Sequence, residues 1–374
     1  MKKLYLDNAA TTQVSEKVVK EMERFYLEDY GNPGSIHRLG EKAFDEMSKA
    51  RAKLAKEIGA KPREIYFTSG GTESDNWALI GTAEANPNNR TIIVSSIEHP
   101  AIIEAGENLS EKSFKIIKIK VNSDGIINID ELEREIKNKD VLLVSVMHVN
   151  NIIGTIQDLE AIGKLCRRHG VLFHTDAVQG FGKLDIDVKE MNIDLLSATA
   201  HKIGGPKGIG LLYVRDGVKI RQRIYGGGQE KGMRSGTENV PGIVGFAKAL
   251  ELQKKVNKKK VQRIRDKIII GLEKIGGKIN GSKEKRIWNN IHFSFLGING
   301  ENLVVYLSER GIYVSTGSAC DSKKKKEDRV LRAIGLPREL QEGSIRITLG
   351  EDIDEKDADR VVGEIKKGLK LFFL

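Results

Sequence analysis

From residue 64 to about residue 214 the chain alternates short β-branched runs with stretches long enough for a helix. No other feature narrows the choice of fold so far. "EIYFTS" leads into "TESDNWALIGTAEA", "TIIVSS" into "HPAIIEAGENL" and "FKIIKIKV" into "NIDELEREIKN". Then come "VLLVSVMHV", the helical "DLEAIGKLCRRHG", "VLFHTDA", "IDLLSATA" and "GIGLLYV". This rhythm predicts βαβ units and an α/β fold with a mainly parallel seven-stranded sheet flanked by helices. The two-residue alternation within each run is weak, as it is in strands buried on both faces. After about residue 248 the pattern changes. A long basic helix leads into "NIHFSFLG", "ENLVVYLSERG", "IYVSTGSA" and "GSIRITLGE", with a closing helix from near "DEKDADRVV". Strands separated by whole helices read as a smaller α+β domain. The N-terminal segment is expected to pack with it, because no strand–helix unit is complete before residue 14. The expected division is therefore residues 14–248, and residues 1–13 with 249–374. At 39% hydrophobic over 374 residues, the chain has enough apolar content for both cores.

Composition excludes several classes. Lys plus Arg number 62 against 52 Asp plus Glu, an excess of ten, but much of it is local. "KKVNKKKVQRIRDK" at 254–267 reads as the wet face of a helix and "KKKK" at 323–326 as an exposed loop. Neither interleaves aromatics with bases as a single-strand stacking platform does, so direct nucleic-acid binding is not expected. Two cysteines, Cys166 and Cys320, are too few for a disulfide framework and point to a reducing cytoplasm. The opening "MKKLYLDNAATT" has no apolar core of a signal peptide. The closing "KLFFL" is far short of the ~20 apolar residues of a membrane span. A soluble cytoplasmic protein without a membrane partner is expected, and no metal site.

Ligands of parallel sheets bind beyond the carboxyl ends of the strands, often between domains. After the first strand stands "TSGGTESDN", a glycine-rich turn at Ser69, Gly70, Gly71 and Thr72 feeding a helix with Glu73 in its first turn. Such a helix start suits a phosphate, although a plain turn and cap would use the same residues. No Gly-Lys-Ser/Thr follows, so it is not a P-loop. His99 precedes a proline-started helix, where it could equally be a cap. Asn150 and Asn151 follow another strand, where turn formation explains them as well. Asp176 and Gln179 end a buried-looking run, and a buried carboxylate there requires a cationic partner. In "ATAHKIGGPKGIG" Lys202 also follows an apolar strand, and a lysine held in a cleft can serve as an amine nucleophile. Lys207 lacks the Ser or Thr of a nucleotide loop. A lysine, a buried Asp, a phosphate turn and a histidine together match the needs of pyridoxal 5'-phosphate.

These motifs, with "GNPGSIHRLG", "RSGTEN", "STGSAC" and "SIRITLG" in order, make the whole chain resemble the NifS-like cysteine desulfurases. These are fold-type I enzymes of the class-V aminotransferase superfamily. The resemblance implies that Lys202 carries the cofactor and moves the substrate α-proton. It further implies that Asp176 faces the pyridinium nitrogen, Gln179 the phenolic oxygen, and that His99 stacks on the ring. Gly71, Thr72, Thr199 and His201 would hold the phosphate, and Thr237 would reach the phosphate of the neighbouring subunit in a homodimer. Asn151 and Arg346 would bind the substrate carboxylate. Cys320 would take sulfur from L-cysteine as a persulfide, release L-alanine, and pass the sulfur to an iron–sulfur scaffold or tRNA-thiolation enzyme. Cys166, at helical spacing from Ile162, reads as a small core residue.

Two positions depart from the family pattern. Ile152 stands where a Glu is expected, and Thr199 where a Ser is expected; the threonine keeps the hydroxyl. The run Lys323–Lys326 is also unusual, and reads equally as a tuner of the Cys320 thiolate or as a solvated charge run. An aminotransferase would not need Cys320, whereas a selenocysteine lyase would share almost every residue named. A sulfur-carrier scaffold with a dead site would not keep Lys202, Asp176 and His99 together.

Overall fold

The computed structural model describes residues 2–316 and 328–372. Cys320 and the run Lys323–Lys326 lie outside the described residues. The strands, in chain order, begin with β1 (Leu4–Tyr5), β2 (Ile65–Thr68), β3 (Thr91–Ser95) and β4 (Lys115–Ile119). There follow β5 (Val141–Ser145), β6 (Leu172–Asp176), β7 (Leu195–Thr199) and β8 (Gly210–Val214). The last are β9 (Lys278–Ile279), β10 (Asn290–Ser294), β11 (Ile312–Tyr313) and β12 (Ser344–Thr348).

The large sheet has seven strands in the order β2-β8-β7-β6-β5-β3-β4. All pairings from β7 through β4 are parallel, while β8 runs antiparallel to both β7 and β2. The turn Ala200–Ile209 between β7 and β8 is too short for the crossover helix that a parallel partner would need, so the chain reverses instead. Both faces of the sheet are covered. Ile93, Val144, Leu196 and Leu211 pack with Met47, Leu54, Ile162 and Phe246 on one side. Their neighbours Ile92, Leu143, Leu195 and Leu212 pack with Trp77, Ile102 and Leu109 on the other. Successive side chains point to opposite faces, so most positions in these central strands are apolar and simple alternation disappears from the sequence. Cys166 is buried in the first of these cores, where burial pushes its thiol pKa up.

A separate core joins Leu4 and Leu6 to Ile264, Phe293, Ile345, Ile347 and Val361. Here β12, β10 and β9 form an antiparallel sheet, and β1 pairs parallel with β11. The N-terminal chain leaves β1, bridges β12 at Asp7 and Thr348, and then reaches the end of β7, where Thr12 N donates to His201 O at 2.9 Å. Among the described residues, no helix is long and apolar enough to cross a membrane.

Candidate active site

The parallel strands release their chains on one side of the large sheet, and a cavity of about 460 Å³ opens there. It is lined by Gly71 and Thr72 after β2, His99 after β3, Asn151 after β5 and Asp176 and Gln179 at the end of β6. Thr199, His201 and Lys202 contribute from β7, and Arg346 reaches in from β12. Of the residues singled out above, Thr237 is exposed and outside this lining, and Cys320 is outside the described residues.

Lys202 ends a single 3-10 turn, Ala200–Lys202. Its Nζ donates to the carbonyls of Ala9 at 2.6 Å and Ala10 at 2.7 Å. The glycines that follow serve the backbone. Gly204 has φ +80°, a left-handed conformation that favours glycine. A Cβ on Gly210 would come within 2.7 Å of Gly70 Cα, so the lysine turn and the glycine turn after β2 can lie side by side only without it.

Asp176 is buried, and its Oδ1 accepts from Val178 N at 2.9 Å. Burial pushes its carboxyl pKa up, against the opposing pull of His99, the Val178 amide and Lys202. His99 is both a cap and a cavity residue. Its Nδ1 accepts from Ala101 N at 3.1 Å at the start of the helix Pro100–Glu111, which leaves the proton of the neutral ring on Nε2. Burial lowers its pKa. Gln179 Nε2 donates to Ala9 O at 2.9 Å, and its Oε1 accepts from the buried Lys183 at 3.4 Å. Burial, reinforced by Lys202, pushes the Lys183 ammonium down to about 7.

At the other end of the cavity, the helix Gly71–Asn76 continues through a π-helical turn, Trp77–Gly81, to Thr82–Ala85. Its first-turn amides have no acceptor within the helix and are available to an anion. Glu73, in that turn, is turned aside, accepting from Arg234 Nε at 2.9 Å and Nη2 at 3.1 Å. Thr199 Oγ1 donates to Ile209 O at 2.9 Å, and His201 Nδ1 meets Thr11 Oγ1 at 3.1 Å. Burial pushes His201 down to about 4, so its ring is neutral at pH 7. Arg346 is buried; its Nη2 donates to Asp7 Oδ1 at 2.7 Å and its Nη1 to Asn151 O at 3.1 Å. Ile152 lines the cavity beside Asn151 and packs against an apolar cluster with Ile97, Ile153 and Leu331. The position thus carries an apolar contact in place of a carboxylate.

The pattern of the class-V aminotransferases matches residues 4–361. A cysteine desulfurase IscS of Clostridium botulinum is 44% identical over 377 residues, covering 99% of this chain and 95% of that one. The chain belongs to the cysteine desulfurases of the class-V aminotransferase family. A solved NifS-like protein, 41% identical, superposes with a TM-score of 0.93 over 99% of this chain and 100% of its own. An SspA solved in complex with cysteine is 36% identical, with a TM-score of 0.85 over 92% of this chain and 98% of its own.

Several residues of this desulfurase's cavity escaped the reading of the sequence. Asp75 is buried beneath it, and burial together with the neighbouring Asp176 pushes its carboxyl well up. Glu98 is buried with Oε1 accepting from Ser95 Oγ at 2.6 Å and Met147 N at 2.8 Å, while Oε2 has no partner among the described residues; burial pushes it up to about 8. Its carbonyl accepts from Arg329. The position of Asp75 in "TESDN" and of Glu98 in "IEHP" was the available signal: an acid one helical turn past the glycines, and an acid beside the cavity histidine.

Proposed function

We propose that this desulfurase takes sulfur from L-cysteine, releases L-alanine and carries the sulfur as a persulfide on Cys320, with pyridoxal 5'-phosphate as cofactor. The reading is supported above all by one cavity in which the Lys202 amine, the Asp176 carboxylate and the Arg346 guanidinium come together at the strand ends. The donor set fits the cofactor. A buried acid with a raised pKa favours a cation against it, as a protonated ring nitrogen would be. The helix start at Gly71 and Thr72 offers amides to a phosphate. When bound, the cofactor supplies an electron sink for the bond-breaking at the substrate.

The chain's own residues divide the remaining work. Lys202 Nζ, freed from the Ala9 and Ala10 carbonyls, holds the cofactor and then takes and returns the substrate α-proton. His99 presents its neutral face to the ring, with Nε2–H as its proton-bearing atom. Gln179 has its Oε1 engaged by Lys183, so its N–H is the group offered to the phenolic oxygen. Neutral His201 can donate to the phosphate, and Thr199 can do so after exchanging its bond to Ile209. Arg346 and Asn151 take the substrate carboxylate, for which a guanidinium offers a two-donor fork. Thr237, exposed on its own chain, serves the phosphate site of a second copy, making the working unit a homodimer. The exposed Tyr26, Tyr30, Ile36 and Tyr225 support such an apolar contact. The persulfide goes to an iron–sulfur scaffold or a tRNA-thiolation enzyme, in the cytoplasm.

Alanine and sulfide release from L-cysteine under reductant, by wild type and by Cys320→Ala, tests this reading. Wild type should release both; the variant should stay yellow with bound cofactor but lose turnover. Undiminished turnover in the variant would reject the role of Cys320, and no alanine from cofactor-loaded wild type would reject the function.

A further inference from the structure

We propose that Asp7 is a positioning residue for substrate recognition, holding the Arg346 guanidinium in the orientation that receives the amino-acid carboxylate. This rests on the reading of Arg346 given above. The backbone fixes the pair from both sides. Thr348 N donates to Leu6 O at 2.7 Å, Ala9 N donates to Thr348 Oγ1 at 2.9 Å, and Asp7 forms a parallel bridge with Thr348. Asp7 is thereby set beside β12, two residues from Arg346. Arg346 is anchored in turn, donating its backbone N–H to Ser315 O at 2.6 Å and pairing across the strands with His292.

The guanidinium is held at two separate nitrogens, Nη2 on Asp7 Oδ1 and Nη1 on the Asn151 carbonyl. Two such contacts fix both the tilt and the roll of a planar group with five donors. Its Nε is buried and has no hydrogen-bond partner among the described residues. Nη1 and Nη2 each carry a second hydrogen, so both can still donate to a carboxylate while Asp7 and the Asn151 carbonyl stay in place. Without Asp7, a buried cation would stand without a counter-charge in the absence of substrate and be free to turn off that geometry. The same N-terminal segment presents the Ala9 and Ala10 carbonyls to Lys202, so a single strap touches both the amine and the guanidinium of the site. If Asp7 were instead a competitor that the substrate must displace, its removal would tighten substrate binding, which is the opposite sign.

The test compares wild type, Asp7→Asn and Arg346→Lys as cofactor-loaded enzymes. It measures turnover of L-cysteine and competitive inhibition by L-alanine and by L-alaninamide, which lacks the carboxylate. For Asp7→Asn, the KM for L-cysteine and the inhibition constant for L-alanine should both rise about tenfold, the effect of one weakened charge-assisted contact. The kcat should stay within about twofold, and inhibition by L-alaninamide should not change. An unchanged or lower KM, or an equal loss for alanine and alaninamide, overturns the proposal; the latter would mark a merely structural role. If Arg346→Lys leaves KM unaltered, the carboxylate role of Arg346 fails and Asp7 falls with it. If Arg346→Lys raises KM and Asp7→Asn does not, Asp7 alone is rejected. Should Asp7→Asn fail to fold, Asp7→Ser, held by the same backbone bonds, carries the same expectations.

Discussion

Replacing Asp176 by Asn separates what the carboxylate does for the cofactor from what it does to the protein. Asn is nearly isosteric and keeps a side-chain oxygen to accept the Val178 amide, a 2.9 Å bond in the native site. The change therefore removes charge and leaves the turn. In the loaded enzyme the ring nitrogen loses its counter-charge in a buried site. Breaking such a pair costs about 3 kcal/mol or more, which is roughly a hundredfold if it is expressed in the transition state. The effect on the cofactor-free protein has the opposite sign. Burial raises the Asp176 pKa in the fold, so the folded protein binds this proton more tightly than the unfolded chain. Its contribution to stability is greatest in acid and is lost as pH rises through the raised value. At pH 8 cofactor-free Asp176→Asn should melt at a higher temperature than wild type, with the gain shrinking toward pH 4. The assays are alanine release for kcat, cofactor titration by absorbance, and calorimetry across pH on the cofactor-free protein. Wild-type kcat in the variant would refute the ring-nitrogen role. A lower melting temperature for the cofactor-free variant at pH 8 would refute the claim that burial strains the carboxylate.

Two further outcomes follow from buried groups away from the ring. Lys183 is pushed from its ordinary 10.5 down to about 7; below pH 7 it is protonated in both states, and between pH 7 and 10.5 only the unfolded chain keeps the proton, so stability should rise with pH across that window. Lys183→Met should therefore stabilise the cofactor-free protein most below pH 7 and least near pH 10, and a pH-independent difference in thermal melts would contradict this. Cys166, buried with a raised thiol pKa, should resist iodoacetamide until the protein unfolds, as read by peptide mass; fast labelling of Cys166 in native protein would contradict its place in the core.

The sheet was legible because each strand is a short apolar run punctuated by helices. The direction of β8 was not signalled by its own residues, since a fully buried strand looks alike either way. It was implicit in the short Ala200–Ile209 connection, which cannot hold a crossover helix. The floor of the cavity could be read because Lys202, Asp176, His99 and the Gly71 turn each follow a strand directly. Its roof could not. Lys202 meets Ala9 across 193 positions and Arg346 meets Asp7 across 339, and no local pattern announces contacts at such separation. Asp7 in "LYLDNAATT" looks like any polar residue after a short strand until the N-terminal segment is placed over the site. Asp75 and Glu98 were hidden for a different reason: as charged letters they imply exposure, and only the surrounding burial turns them into raised-pKa groups.

The central claim is that the amine at Lys202 is the attachment point of the cofactor, and peptide mapping tests it most directly. The protein is loaded with pyridoxal 5'-phosphate, reduced with borohydride, digested, and the modified peptide sequenced by mass spectrometry. The pyridoxyl-phosphate mass should appear on Lys202, in the peptide containing "AHKIGGPK", at one per chain. An unmodified Lys202 in fully loaded, reduced protein, or the same mass on Lys183 or Lys207 instead, would contradict it.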